Sequence, residues 1–242
     1  MRILVISDIH ANLTALDAVL ADAGEFDTVW CLGDLVGYGP DPNECITRLQ
    51  QLPNLQCIIG NHDAAVIGSL DTNVFNIEAQ MAIFWTRNVL TEMGRVFLKQ
   101  LPQSLSLDHV TLAHGSPRHP VWEYLLDSLT ASQNFDYFRS PYCFVGHTHL
   151  PVIFHLAKNH DHAHLSIPEQ NQIVYMMQRS ILNPGSVGQP RDRDPRAAYA
   201  VYDPENFTWR IRRIPYDIKS VQARMKEAGL PDKHIHRITT GW

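Results

Sequence analysis

The 242 residues carry 20 Lys and Arg against 25 Asp and Glu, a formal charge of -5, with 45% hydrophobic and 19% charged residues. That balance excludes disorder and fibre, and it leaves no broad basic field for nucleic-acid backbones, so long nucleic acids are not expected as partners. The length suits one sizeable domain, residues 1–242, and no apolar stretch approaches the roughly 20 residues that span a bilayer, so no membrane association is expected.

The chain opens on Ile3–Ile6, an apolar run too short for a signal peptide. Leu13–Ala23 follows as a predicted helix with Leu13, Leu16 and Leu20 on one face, Asn12 as N-cap and Gly24 as C-cap. Thr28–Cys31 reads as a strand, residues 42–52 as a helix and 56–59 as a strand, a rhythm that predicts a largely parallel sheet with crossover helices. Residues 77–101 read as helical, broken near 91–94 and stopped by Pro102, with Met81, Phe84, Trp85, Phe97 and Leu98 expected in the core. Strands are then predicted at 104–107, 110–113, 142–145, 151–154, 173–177, 180–182, 197–203 and 207–213. Their density predicts a second, largely antiparallel sheet. A helix over 217–228 capped by Gly229 closes the pattern, and the tail to Trp242 carries little signal.

Cys31, Cys45, Cys57 and Cys143 lie far apart with no Cys-x-x-Cys pair and read as buried free thiols, which suits a reducing, cytoplasmic setting. The segment from His155 to His164 holds four of the 13 histidines. Such a tract can bind metal, but it reads here as a solvated hairpin tip outside the site.

Five apolar runs end in metal-competent residues: Asp8 and His10, then Asp34, then Asn61 and His62, then His114, then His147 and His149. Strand ends of parallel-type sheets form a ligand crevice, so donors far apart in sequence can converge there. In Asp8-x-His10 and His147-x-His149 the donors are i and i+2, the same side near a strand end. Asp34 follows Gly33, where a missing side chain lets backbone pass close to an ion, and Asp34 is the candidate bridge. Seven donors exceed a tetrahedral site and suit two divalent ions if one carboxylate bridges them. A nitrogen and oxygen set without thiolate favours Mn, Fe, Zn or Ni over copper(I).

Together the five blocks resemble the calcineurin-like metallophosphoesterase superfamily, whose pattern is D-x-H, G-D, G-N-H-[DE], H and G-H-x-H. The resemblance covers nearly the whole chain. It implies an α/β fold, a four-layer α-β-β-α sandwich of two packed mixed sheets flanked by helices, which agrees with the two packed sheets read from the pattern. By motif position, one metal would take Asp8, His10, Asp34 and His149, and the other Asp34, Asn61, His114 and His147. After Gly33-Asp34 the chain reads Leu35-Val36-Gly37-Tyr38-Gly39-Pro40, where the Ser/Thr protein phosphatases carry Asp-Arg-Gly. This departure and Asn183-Pro184-Gly185-Ser186 are similar to the small bacterial and archaeal phosphodiesterases.

The expected reaction is hydrolysis of small phosphate esters, phosphodiesters first, by a metal-bridging hydroxide attacking in line on phosphorus. Dinucleoside polyphosphates and monoesters are alternatives, and a non-catalytic metal-binding scaffold on the same fold is the alternative of another class. His62 is the candidate general acid, and Asp63 either orients it or serves a helix N-terminus. Arg191 and Asn12 are the candidate phosphate contacts, with Arg118, Arg193 and Arg196 behind them.

Overall fold

Strand alternation divides the side chains of β1 (Ile3–Ile6) between two cores. Ile3 and Val5 face a second sheet, while Leu4 and Ile6 face helices. The computed structural model describes residues 1–158 and 161–242. After β1 come α1 (Leu13–Ala23), β2 (Thr28–Cys31), α2 (Pro42–Gln50), β3 (Gln56–Cys57) and α3 (Asn61–Val66). Then follow α4 (Ile77–Val89), α5 (Glu92–Gln100), β4 (Ser104–Leu107), β5 (Val110–Ala113), α6 (Ser128–Asn134) and β6 (Tyr142–Phe144). The chain continues through β7 (Ile153–Leu156), β8 (His164–Ser166), β9 (Ile173–Tyr175) and β10 (Arg179–Leu182). It closes with β11 (Ala197–Asp203), β12 (Thr208–Ile214), α7 (Ile218–Glu227) and α8 (Asp232–Thr240).

The strands form two six-stranded sheets, ordered β3-β2-β1-β11-β12-β9 and β4-β5-β6-β10-β7-β8. Both are mixed. The parallel part of the first is β1, β2 and β3, and that of the second is β5, β6 and β10. The expected split into a parallel first-half sheet and an antiparallel second-half sheet therefore gives way: β9, β11 and β12 complete the first sheet. Between the sheets lie Ile3, Val5, Trp30, Phe144, Tyr202 and Trp209, all at most 8% exposed. Burying side chains of this size contributes about 1.5–3 kcal/mol each before entropy is counted. The opposite face of the first sheet packs on α1, α2, α4, α5, α7 and α8, and that of the second on α6.

Local signals acted largely as expected. The Asn12 side chain accepts from Ala15 N at 3.1 Å, and Gly24 ends α1 at φ 66°. The helical break falls at Leu90 and Thr91, where the Thr91 hydroxyl caps α5 by accepting from Gly94 N. Met81 and Phe84, expected in the core, are exposed because α4 buries its smaller face, Ala79, Ala82 and Ile83 with Thr86. All four cysteines are free and buried. No helix among the described residues is long and apolar enough to cross a membrane. Of the histidine-rich segment, Asn159 and His160 lie outside the described residues. His155 sits on β7, half-buried between the hydroxyls of Ser180 and Ser166 at 3.1 and 3.0 Å.

Candidate metal centre

The ends of β1, β2 and β3 in one sheet and of β5, β6 and β10 in the other meet at one rim of the sandwich. Backbone bonds fasten the loops to each other: Asp8 N donates to Gly33 O, His10 N to Asp34 O, and Gly146 N to His114 O, at 2.8–3.0 Å. The Asn183 to Ser186 turn ties both sheets together. Its Asn183 amide donates to Gly146 O at 2.7 Å, and its Ser186 hydroxyl donates to Asp8 O at 2.8 Å.

Asp8, His10, Asp34, His147 and His149 all have left-handed backbone, with φ between 48° and 65°. Outside glycine such conformations cost about 1–3 kcal/mol each and persist only where surrounding structure holds them. The i and i+2 donors thus share a side through these turns, not through strand alternation. Gly33 also differs from expectation. A Cβ there would lie 2.6 Å from Gly60 N, so the missing side chain admits the neighbouring motif loop.

Two triads result, Asp8 with His10 and His149, and Asp34 with His114 and His147, each with its donor atoms within 4.8 Å of one another. Asp34 Oδ2 joins them, 3.7 Å from His10 Nε2 and 3.4 Å from His114 Nε2. Asn61 Oδ1 lies 3.0 Å from His114 Nε2, completing the set of seven candidate donors. All seven are at most 2% exposed.

The outer ring nitrogens fix which nitrogen points inward. His10, His114 and His149 each donate Nδ1–H to a carbonyl, of Val36, Leu32 and Gln189 respectively, and so turn Nε2 to the centre. His147 is reversed, with Nε2–H donated to Trp122 O at 2.9 Å and Nδ1 left for the centre. Backbone partners of this kind set tautomer and orientation in metal sites. His10 Nε2 and His149 Nε2 are 3.2 Å apart, two lone pairs with no proton between them. Asp8 Oδ1 is buried without a hydrogen-bond partner, 3.2 Å from His149 Nε2. Crowded acceptors and an orphaned carboxylate oxygen are what a cation would satisfy, so the residues present fit the expected metal pair.

Burial drives His10, His147 and His149 down, which keeps them neutral and able to ligate. His114 moves up although burial opposes it, because Asp34 and Asp8 stabilise its charge. Burial likewise opposes a charged Asp34, yet His114, His62 and His10 hold it well below the carboxylate range.

Gly60 packs directly against the candidate bridge, Asp34. Its φ of -96° admits any residue, but an added Cβ would lie 2.1 Å from Asp34 Oδ1. Gly60→Ala is expected to lower stability by about 1–3 kcal/mol through overpacking and to reduce bound metal. Thermal unfolding with and without metal checks both, and unchanged metal content would mean that Asp34 can move without consequence.

His62 sits in the first turn of α3, 3% exposed, with its backbone N–H donated to Asp34 Oδ1 at 2.8 Å. Its ring lies 4.3 Å from Tyr38 and 5.1 Å from His10, and its buried Nδ1 has no partner. Asp63 does not orient it. The Asp63 carboxylate accepts from Gly60 N and Val36 N, both at 3.0 Å, serving the α3 terminus and the loop after Asp34.

Among the candidate phosphate contacts, Arg191 alone combines a place at the centre with freedom from carboxylates: its guanidinium lies 5.9 Å from the Tyr38 ring and bonds Gln189. Arg118 and Arg196 are bound to Glu123 and Asp194, and Arg193 lies over Trp242. Asn12 is 2% exposed and bonds Ala15 N and Gly188 O, which gives it the cap role. Two aromatic residues beside the centre carried no sequence signal: Tyr38 against His10 and His62, and Tyr124 stacked on His147 at 3.9 Å.

Glu123 holds the loop that carries Trp122. Burial alone would raise its pKa, but bonds from Arg118, Ser116 and Asn134 outweigh it and bring the carboxyl from 4.5 to about 2. A depressed folded pKa means stability that is present above about pH 4.5 and lost as pH falls towards about 2. The difference in thermal midpoint between wild type and Glu123→Gln is therefore expected to be full near neutrality and to shrink across that window. A pH-independent difference would assign the effect to packing.

Comparison with known proteins agrees with this geometry. A crystal structure of a metallophosphoesterase from Sphaerobacter thermophilus superposes with a TM-score of 0.92 at 45% identity, covering 100% of this chain and 99% of that one. An uncharacterized protein of Methanocaldococcus jannaschii is 37% identical over 99% of this chain and 98% of its own length. A symmetrical bis(5'-nucleosyl)-tetraphosphatase of Pectobacterium atrosepticum is 36% identical over 67 residues, 26% of this chain and 24% of that protein. Residues 1–206 match the calcineurin-like phosphoesterase superfamily domain, and the chain belongs to that superfamily.

Proposed function

We propose that the chain is a two-metal phosphoesterase of small phosphate esters, phosphodiesters before monoesters, with manganese as the preferred ion. The observation that carries this reading is the pair of Asp and His triads joined through Asp34 Oδ2. Asp8, His10, Asp34 and His149 would hold one ion, and Asp34, Asn61, His114 and His147 the other. Such ions, when bound, neutralise phosphoryl oxygens and acidify water. The residues around them do the rest. Carbonyls of Val36, Leu32, Gln189 and Trp122 fix the imidazoles before substrate arrives, which limits reorganisation during reaction. His62 would give a proton to the leaving oxygen. Its Nδ1 is packed where a Gly37 Cβ would lie 2.7 Å away, so Nε2 is the donor. The four buried free thiols support a reducing, cytoplasmic setting.

Dinucleoside polyphosphates are the second reading, favoured by the short match to the tetraphosphatase and by the carboxylate-free Arg191. Metal analysis of the purified protein, with turnover measured on a monoester, a diester and a dinucleoside polyphosphate, tests both readings. Metal-dependent turnover is expected, highest on the diester or the polyphosphate. Full metal loading with no turnover on any of the three would sink the enzyme reading and favour a binding scaffold.

A further inference from the structure

The four candidate imidazole ligands each have one ring nitrogen bonded to a backbone carbonyl, which sets their orientation. Among the described residues the His62 ring has no such bond, and its buried Nδ1 is left without a partner. Packing alone therefore fixes this imidazole. The Tyr38 ring lies 4.3 Å from it, tilted by 55°, and the Phe75 ring lies 5.1 Å from it, edge-on at 68°. Gly37 closes in on the ring as well, since a Cβ there would lie 2.7 Å from His62 Nδ1 and 3.0 Å from its Cγ. Tyr38 and Phe75 are 6% and 8% exposed, so neither ring is free to swing into solvent.

Each of these two rings is held in turn. Tyr38 has left-handed backbone at φ 63°, uncommon for a bulky residue and sustained only where surrounding structure holds it. Strain of this kind concentrates at functional sites. The Tyr38 ring also meets His10 at 4.7 Å and His234, in the first turn of α8, at 4.4 Å. Phe75 follows the short 3-10 helix Thr72–Val74 ahead of α4, and its ring stands edge-on to Trp122 at 5.0 Å. The carbonyl of Trp122 is the one that accepts from His147. Two elements far apart in sequence, α8 and the Trp122 loop, thus reach the His62 ring through one aromatic residue each.

We propose that Tyr38 and Phe75 are positioning residues for His62, holding its imidazole where Nε2 can reach the leaving oxygen. This rests on the phosphoesterase reading above, with His62 as the acid. Proton transfer needs heavy atoms about 2.6–3.2 Å apart. A misplacement of about 1 Å can cost on the order of 10²-fold in rate. In this role the two rings supply shape, and the Tyr38 hydroxyl is dispensable.

The test compares wild type, Tyr38→Leu, Tyr38→Phe, Phe75→Leu and His62→Ala, all metal-loaded, on two esters. One is a thymidine dinucleotide, whose leaving alkoxide needs a proton, and the other is bis(p-nitrophenyl) phosphate, whose leaving phenolate does not. Tyr38→Leu and Phe75→Leu are each expected to lose roughly 10- to 100-fold on the dinucleotide, in kcat with KM little changed, and much less on the aryl diester. Tyr38→Phe, which keeps the ring, is expected to recover most of that loss. Added to His62→Ala, the same substitutions are expected to cost almost nothing further, because groups acting through one residue are not additive. Independently of turnover, diethyl pyrocarbonate is expected to modify His62 faster in either Leu variant than in wild type, as read by peptide mass spectrometry. Losses equal on both esters, or persisting without His62, would overturn the proposal and make the two rings supports of the metal centre. A Tyr38→Phe defect as large as that of Tyr38→Leu would overturn it too, by assigning the effect to the hydroxyl. Should Tyr38→Leu fail to fold, Phe75→Leu decides by the same comparisons. Wild type inactive on both esters would instead remove the phosphoesterase reading. The modification rates would then decide whether the rings hold the imidazole, and unchanged rates in both Leu variants would overturn that.

Discussion

Asp34→Ala is expected to leave a folded chain that binds fewer than two metal ions and turns over at least about 10³-fold more slowly, a loss of about 4 kcal/mol of transition-state stabilisation. The argument starts from position. Asp34 Oδ2 lies 3.7 Å from His10 Nε2 in one triad and 3.4 Å from His114 Nε2 in the other, the shared carboxylate of the two groups. Removing it would leave each proposed metal site a ligand short and would take away the negative charge between two cations. The fold should survive because the site is built on strands β1, β2, β3, β5, β6 and β10, whose pairing does not involve the Asp34 side chain. One local bond is lost, from His62 N to Asp34 Oδ1, worth about 1–3 kcal/mol where a charged acceptor is involved. Asp34→Asn separates shape from charge: it keeps a neutral oxygen in place, and is expected to retain more metal than alanine while still falling short of two ions. Metal analysis after gel filtration, beside turnover, checks each variant. Two ions retained in Asp34→Ala would show that some other group bridges.

Much of this site was legible in the sequence because each donor follows a strand within a few residues, so strand prediction alone placed the donors at one rim. The bounds of β1, α1, β2, β4, β5 and β11 match the periodic segments residue for residue. What failed was non-local. Alternation says which face a strand buries but not which strand it pairs with, so β9, β11 and β12 were expected in the wrong sheet. α3 was read only as a helix N-terminus at Asp63, because all six of its residues are buried, which erases amphipathic period. α8 went unread because only Ile235 and Ile238 mark its apolar face. The left-handed turns at Asp8, His10, Asp34, His147 and His149 carried too little signal to be read, since Asp and His take positive φ more often than other non-glycine residues yet do so in only a small minority of places.

His62→Ala is expected to keep both metal ions and lose on the order of 10²–10⁴ in turnover. None of its ring atoms belongs to the two triads, and its backbone N–H, which serves Asp34, survives the substitution. Metal content should therefore stay at wild-type level, unlike Asp34→Ala. Burial pushes the His62 imidazole well below its usual value, Asp34 pulls against that, and His10 and Arg191 add to the fall. A bound phosphoryl anion would pull with Asp34 towards the protonated form, against the charge of any bound cations. If His62 is the acid, wild-type turnover should decline as pH rises through the pKa of the substrate complex, because the donor form is then lost. His62→Ala should lack that basic limb. Leaving-group chemistry supplies the sharpest contrast. A nitrophenolate departs without a proton, so the penalty of His62→Ala should shrink on nitrophenyl esters and be full on alkyl or nucleoside esters. Equal losses across leaving groups, with the basic limb intact, would make His62 a packing partner of Tyr38 and assign the proton to another group.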